Sequence, residues 1–324
     1  MNGDARWLAA AAALAARARP LSRPNPGVGA ILVKHGRVIA RGWTQPGGRP
    51  HAEAVALDAA GEAARGATLY VTLEPCAHQS PRGPACADLV CDSGVARVVI
   101  GCMDPDPRTS GSGMARIRAA GIAAEYHPSP ACEASLSGYL ISRHRGRPEV
   151  TLKLALSLDG CIAMASGESQ WITGAEARAH THAMRARSDA ILVGGGTVRA
   201  DAPRLDVRLP GLAERSPERW VLTRGEAGEG WRALSSPQAI AAMEGVQYLF
   251  VEGGAGAATA FLAAGLVDRL LIYRAPILVG GRPALGDFGL ASLAGAHGQW
   301  RLRERRQLGS DALEVYEATP CSPE

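Results

Sequence analysis

Any fold this chain adopts has to bring together one constellation: Pro50-His51-Ala52-Glu53, then Pro75-Cys76, then Cys86. An imidazole and two thiols are soft or borderline zinc ligands. Three of them leave the fourth tetrahedral position for water, as in catalytic rather than closed structural sites. Glu53, two residues past the histidine, is close enough to move protons on such a water. Alone, each element has a plain explanation: a histidine before a helix is commonly a cap or surface residue, and a Pro-Cys pair commonly packs. The combination of a His-x-Glu opening one helix and two cysteines near the start of another has little structural reason to occur. Nine residues separate the cysteines, more than in a Cys-x-x-Cys pair. Loop-closure entropy rises slowly with length, so this loop still closes on one metal and leaves His78, Gln79, Ser80 and Arg82 at the site mouth.

At 324 residues the chain is long enough for two domains, each burying its own core. An apolar content of 47% against 20% charged argues against disorder. The net charge of +4 is mild and scattered, which suits an anionic small molecule. No dense basic patch with interleaved aromatics marks a nucleic-acid binder. Seven cysteines, an odd and widely spaced set, point to a reducing, cytoplasmic compartment. Cys91, Cys102, Cys132 and Cys161 lie in or beside apolar runs and are expected to pack as small hydrophobes, while Cys321 in the polar tail has no evident role. The run Leu8 to Ala16 lacks the basic flank of a signal peptide, since Asp4 and only Arg6 precede it and Arg17 and Arg19 follow. It reads instead as an alanine-rich helix from Asp4 to Arg19 with Trp7, Ala11 and Leu14 on one face. No stretch is long enough to span a membrane.

Along the chain, Val28 to Val33 and Arg37 to Ala40 read as a hairpin turning at His35-Gly36. Helix 52–64, strand 68–73, helix 87–93, strand 96–100, helix 114–120 and strand 122–126 follow, an alternation that implies a layered α/β domain with a largely parallel sheet beyond the hairpin. Both metal segments are expected to start helices, with Pro75 tolerated in a first turn, so helix N-termini would favour thiolate at Cys76 and Cys86. Around Arg143-His-Arg-Gly-Arg-Pro148 the composition turns basic and the alternation restarts, which places domains at 1–147 and 148–324. The second half shows strands at 149–155, 190–193, 220–223, 246–251, 269–273 and 313–316 and helices at 176–187 and 257–264. Two glycine-rich loops follow strands there, Gly194-Gly-Gly-Thr197 and Glu252-Gly-Gly-Ala-Gly256. The second runs into a helix, whose N-terminus suits phosphate. Neither sits at the domain's first strand, where a Rossmann fingerprint belongs.

The His-x-Glu and cysteine pattern is the signature of zinc deaminases, whose glutamate is the general acid/base and not a ligand. A more specific resemblance spans nearly the whole chain. Asn25-Pro-Gly-Val-Gly29, His51-Ala-Glu53, Thr72-Leu-Glu-Pro-Cys-Ala-His78, Gly83-Pro-Ala-Cys86 and Asp104-Pro-Asp-Pro107 carry it in the first half. Lys153-Leu-Ala-Leu-Ser-Leu-Asp-Gly160, Ser166-Gly-Glu-Ser-Gln-Trp-Ile-Thr173 and Val193-Gly-Gly-Gly-Thr-Val-Arg-Ala-Asp201 continue it. Together these blocks resemble the bifunctional riboflavin-biosynthesis deaminase/reductase family.

The resemblance implies an N-terminal cytidine-deaminase-like three-layer α/β/α domain and a C-terminal dihydrofolate-reductase-like α/β domain. It implies hydrolytic deamination of 2,5-diamino-6-(5-phosphoribosylamino)pyrimidin-4-one on zinc held by His51, Cys76 and Cys86, with Glu53 catalytic. Asn25, His78 and Asp104 would contact that substrate. NADPH would then reduce the ribosyl group to ribityl. Ala155, Trp171, Thr197, Asp201 and the segment Gly254, Ala255, Gly256, Ala257, Ala258, Thr259 and Ala260 fall on the family's cofactor positions. Ser169, Arg185, Leu205, Arg208 and Glu252 fall on its substrate positions, with Arg185 and Arg208 as phosphate clamps. Arg224, ending a strand, is the candidate for the 2′-phosphate of NADPH. Ala202 stands where the family commonly has a second aspartate, and the stretch from Arg208 to Val246 is shorter than usual. Members are homo-oligomers, which is the expectation here. Two rival readings are a single-activity zinc nucleobase or nucleoside deaminase with a non-catalytic C-terminal domain, and a zinc-stabilised binding module without turnover.

Overall fold

The computed structural model describes residues 3–319, so Cys321 lies outside the described residues. The chain divides into two compact units, one through Gly146 and one from Arg147 onward.

In the first unit, α1 (Gly3–Ala15) precedes the hairpin β1 (Gly29–Lys34) and β2 (Arg37–Trp43). Then come α2 (Ala52–Ala60), β3 (Thr68–Val71), α3 (Cys86–Asp92), β4 (Arg97–Ile100), α4 (Ser112–Ala119), β5 (Ala123–Tyr126), α5 (Pro130–Ser135) and α6 (Ser137–Arg145). The strands form a five-stranded sheet in the order β2-β1-β3-β4-β5. β3, β4 and β5 run parallel, and β1 is antiparallel to both neighbours.

Two glycines show how helices cover both faces. A Cβ on Gly29 would lie 2.1 Å from the Ala11 carbonyl oxygen of α1, and one on Gly42 would lie 2.1 Å from the Ala52 carbonyl oxygen of α2. Gly42 pairs with Ala30, and adjacent strand residues such as Gly29 and Ala30 point to opposite faces. α1 and α2 therefore sandwich the sheet, each pressed close enough that only hydrogen fits. Two departures from the sequence reading stand out in this unit. α1 stops at Ala15, and its buried face is Leu8, Ala11, Ala12 and Ala15, with Trp7 and Leu14 only half-buried. Small side chains, rather than the largest ones, set the closest approach. The second departure concerns Cys76: residues 74–79 form no helix, and Pro75 lies in an irregular segment.

The second unit contains β6 (Glu149–Leu156), β7 (Cys161–Ala163), α7 (Ala175–Arg185), β8 (Ala190–Gly194), α8 (Gly195–Asp201), β9 (Glu218–Leu222) and β10 (Arg232–Leu234). It continues with β11 (Tyr248–Val251), α9 (Ala255–Ala263), β12 (Arg269–Arg274), β13 (Arg282–Pro283), β14 (Trp300–Leu308) and β15 (Asp311–Ala318). An eight-stranded sheet runs β10-β9-β8-β11-β6-β12-β15-β14, and β13 pairs with β7 in a small ribbon. All pairings from β10 to β12 are parallel, and β15 and β14 close the sheet antiparallel.

Period-two alternation divides the core. Leu152, Ala190, Leu192, Leu249 and Val251 pack with Ala258 and Phe261 of α9 on one face. Ile191, Val193, Phe250, Leu271 and Tyr273 pack with Ala177 of α7 on the other. Strands buried on both faces read as continuous apolar runs, which is why they were legible. β14, at the edge, is exposed along almost its whole length and carries four arginines and one glutamate, a charged edge that resists pairing with another strand.

Gly29→Ala is expected to cost about 1–3 kcal/mol through overpacking against α1. Gly228→Ala, with nothing near its Cβ, should stay within about 0.5 kcal/mol of the parent. Urea denaturation of the full chain compares them.

Candidate active sites

In the first unit, His51 caps α2, Cys86 opens α3, and Cys76 lies in the segment after β3. His51 Nδ1 lies 3.2 Å from Cys86 Sγ and 3.6 Å from Cys76 Sγ, and the three ligand atoms fall within 4.8 Å of one another. Zinc bonds of about 2.0 Å to nitrogen and 2.3 Å to sulfur at the tetrahedral angle put such a pair roughly 3.5 Å apart. The donor set and its spacing fit zinc. Cys76 has no helix N-terminus of its own. Instead, the Cys86 backbone N–H donates to its sulfur at 3.3 Å, and its carbonyl accepts from Ala87 N–H. Hydrogen bonds from the Cys86 thiol, then from His51 and the Cys86 backbone, hold the Cys76 thiol far below its ordinary value against the effect of burial. The same pairing, with burial, pushes the Cys86 thiol up.

Glu53 sits in the first turn of α2 and is 3% exposed. Burial raises its carboxyl to about 7, with His51 opposing, a value suited to both giving and taking a proton near neutrality. Asn25 Nδ2 donates to the Gly48 carbonyl at 3.0 Å and approaches His51 Nε2 to 3.1 Å, so it stands against the far side of the imidazole. His78, half-buried, has Nδ1 3.4 Å from Thr109 Oγ1. Asp104 is 7% exposed and accepts from Tyr139 Oη at 2.7 Å and from Asp106 N–H at 2.9 Å; burial raises its carboxyl.

Glu74, read in the sequence only as a member of the Thr72 to His78 block, proves to organise this region. Its buried carboxylate accepts from the backbone N–H groups of Gly111 and Met114, both at 3.0 Å, and of Asp104 at 3.4 Å. It thereby fastens the loop that carries Asp104, and the start of α4, to the residue two before Cys76. A carboxylate inside a Thr-Leu-Glu-Pro-Cys segment was the available signal. Across the site mouth, Arg49 donates to the Pro84 carbonyl at 3.2 Å and Arg82 donates to the Gly47 carbonyl.

The second unit holds a cleft of about 880 Å³ at the carboxyl ends of β6, β8 and β11. This is where ligands settle on open parallel sheets. Ala155, Ser169, Trp171, Arg185, Thr197, Asp201, Arg208, Glu252, Gly254, Ala255, Gly256 and Ala257 line it. Gly254 caps α9 without a side-chain hydrogen bond, so the first N–H groups of that helix remain available to a phosphate. Gly196 and Gly256 have nothing near a Cβ, which keeps the cleft open for a bulky ligand. Trp171 is 62% exposed, with the Arg178 guanidinium 4.8 Å over its ring. Such a cleft fits a dinucleotide.

Other expected residues lie elsewhere. Ala258 is fully buried in the core, and Thr259 accepts from Gly286 N–H at 2.8 Å. Thr259 and Ala260 are outside the cleft lining, as is Arg224, exposed just past β9. Leu205 packs in the core with its φ at 52°, and Ala202, ending α8, has φ 40°. Both occupy the left-handed region that branched and alanine side chains rarely enter. Arg185 was expected to clamp phosphate, but its guanidinium is engaged: Nε and Nη2 reach Glu252 at 2.5 and 2.9 Å, and Nη1 reaches the Asp206 carbonyl at 3.0 Å. Lys153, not singled out in the sequence, lines the cleft with Nζ 3.9 Å from Glu252. Burial lowers its ammonium, with Glu252 opposing.

Residues 1–102 match the cytidine and deoxycytidylate deaminase zinc-binding region, and residues 148–228 and 238–313 match the RibD C-terminal domain. The riboflavin biosynthesis protein RibD of Escherichia coli is 38% identical over 95% of this chain and 97% of its own length. That of Aquifex aeolicus is 34% identical over 90% of this chain and 92% of its own. Among solved structures, Acinetobacter baumannii RibD superposes with a TM-score of 0.85 at 33% identity, over 98% of this chain and 99% of that one. A Thermotoga maritima diaminohydroxyphosphoribosylaminopyrimidine deaminase/5-amino-6-(5-phosphoribosylamino)uracil reductase does so with a TM-score of 0.86 at 30% identity over the same shares. With zinc-ligand geometry in one unit, a dinucleotide-sized cleft in the other and relatives spanning both, the chain belongs to the RibD family of riboflavin biosynthesis proteins.

Proposed function

We propose that this chain deaminates 2,5-diamino-6-(5-phosphoribosylamino)pyrimidin-4-one in its first unit and reduces the ribosyl side chain of the product with NADPH in its second. The observation that carries the first step is the buried Glu53 carboxyl beside His51, Cys76 and Cys86. When bound, zinc supplies a water acidic enough to lose a proton near neutral pH. Glu53 takes that proton on a carboxylate oxygen and gives it to a ring nitrogen, then carries a second proton, from the hydroxyl added to the ring carbon, to the departing amine. Asn25, His78 and Asp104 orient the pyrimidine from the surrounding loops.

For the second step, the uncapped start of α9 receives the cofactor's pyrophosphate and Trp171 offers a flat apolar face to its nicotinamide. Arg208, exposed at the cleft, faces the substrate phosphate. The reductase reading is favoured over a non-catalytic C-terminal domain because Thr197, Asp201 and the start of α9 line one cleft together with Trp171 and Arg208.

Six free cysteines among the described residues suit a cytoplasmic setting. None of the described helices is long and apolar enough to cross a membrane. Self-association as a homo-oligomer, expected from the family resemblance, is part of this reading.

Glu53→Gln should lower deamination by roughly 100- to 10,000-fold while zinc content, measured by elemental analysis, stays at the parent level. Full activity in that variant would remove Glu53 as the proton carrier, whereas a zinc-loaded parent chain that deaminates nothing would return the first unit to the role of a binding module. Removal of zinc with a chelator should abolish deamination and leave NADPH oxidation on the preformed deaminated intermediate intact, because the cleft contains none of the three ligands. In a coupled assay, NADPH absorbance should fall only after that intermediate appears; oxidation on the diaminopyrimidine itself would overturn the order.

A further inference from the structure

We propose that Glu74 is a positioning residue for the zinc ligand Cys76: with Gly113 it fixes the Cys76 backbone before the metal arrives, and so sets how tightly zinc is held. This rests on the zinc reading of the first unit and needs nothing from the second.

Of the three ligands, Cys76 is the one with no regular element to place it. His51 caps α2 and Cys86 opens α3, whereas residues 74–79 are irregular. Irregular main chain is held only by the partners its polar groups find. The Cys76 carbonyl accepts from Ala87 N–H at 3.1 Å, and the Glu74 N–H donates to the Cys102 carbonyl at 2.9 Å. These bonds tie the segment to α3 and to the chain leaving β4. Pro75, between them, has no N–H to give.

The Glu74 side chain, 2% exposed, adds what the backbone lacks. Its Oε1 accepts from Met114 N–H at 3.0 Å, and its Oε2 accepts from Gly111 N–H at 3.0 Å and from Asp104 N–H at 3.4 Å. All three donors are main chain, so Glu74 orders backbone rather than another side chain. Gly111 caps α4 without a side chain of its own, and the carboxylate of a distant segment takes the capping place. A helix start favours an anion there. Gly113, in the same turn, lets α4 settle on the segment: a Cβ would lie 2.0 Å from the Pro75 carbonyl oxygen and 3.2 Å from Glu74 Oε1. The same helix reaches α3, where Arg116 donates to Asp88, two residues past Cys86, at 2.8 Å. α4 therefore braces both cysteine segments, and Glu74 is its bond to the one without an element. A ligand already in place spares the metal the cost of ordering it, which is why groups behind a ligand act on affinity.

The test measures zinc affinity of the full chain by competition with a chromogenic chelator, beside urea denaturation of the zinc-free chain. Glu74→Gln keeps the shape but turns an amide donor toward backbone N–H groups, and should lower zinc affinity by about 10- to 100-fold. Gly113→Ala keeps the carboxylate but pushes α4 off Pro75, and should lower it in the same direction. Ile117→Val, fully buried in the core on α4, is the contrast: it should lose stability and keep the parent's zinc affinity. Co2+ titrated in place of zinc should give Glu74→Gln the parent's thiolate-to-cobalt absorption band, at a correspondingly higher metal concentration. Deamination kcat in that variant should recover when zinc saturates. In the zinc-free parent, the Gly111 and Met114 amides should stay protected from hydrogen exchange, a readout that needs no variant to fold.

Parent-level zinc affinity in Glu74→Gln and Gly113→Ala, or an equal loss in Ile117→Val, overturns the proposal and leaves Glu74 a contributor to stability alone. A kcat that stays low with zinc saturating overturns it in favour of a part in the chemistry. Amides that lose protection when zinc is removed overturn it too, because the metal then organises the brace. A parent chain that binds neither zinc nor Co2+ overturns the zinc reading itself, and the proposal with it.

Discussion

Parallel pairing determines where chemistry can sit in this chain, because strands that run the same way end at the same edge of their sheet. In the first unit β3 and β4 are parallel, and the segments leaving them carry Cys76 and Asp104. β2 is antiparallel to β1, which is antiparallel to β3, so β2 ends at that edge too and leads on to His51. In the second unit β6, β8 and β11 end together at Ala155, Gly194 and Glu252. Side chains distant in sequence thus meet without any long excursion of the backbone, and the cores beneath hold the strand ends in register.

Each site uses burial to set the state of its ionisable groups, but with opposite results. Glu53 is pushed up toward neutrality because its surroundings offer little to oppose desolvation. Glu252, just as dry, is kept ionised by a guanidinium that grips both oxygens. The two carboxylates differ in their neighbours and not in their depth, which fits one for exchanging protons and the other for accepting hydrogen bonds.

What could be read from the sequence was what is local. His51, Cys76 and Cys86 announced themselves by ligand type, and the apolar runs of β8 and β11 by their doubly buried faces. No helix starts at Cys76, and its sulfur is served instead by a donor ten residues away, the Cys86 N–H, which no local pattern records. The Arg185–Glu252 pair is invisible for the same reason, as is Lys153, whose neighbour comes from another strand. Leu205 and Ala258 fell on positions that the resemblance implied for ligand contact, yet their side chains turn into the core. A motif marks a stretch of backbone, and only packing decides which of its side chains face the ligand.

The arginines at the mouth of the zinc site have a consequence beyond fastening two loops. Arg49 and Arg82 are bonded to backbone carbonyls, of Pro84 and Gly47, and not to carboxylates. A carbonyl orders a guanidinium without cancelling its charge, so the same contacts that close the loop leave two unneutralised cations at the entrance. Arg49 already acts on the Cys86 thiol in this sense, favouring its anion. The entrance is an electropositive funnel, and capture of a phosphorylated pyrimidine should slow as added salt screens it, while turnover of substrate already bound stays unchanged.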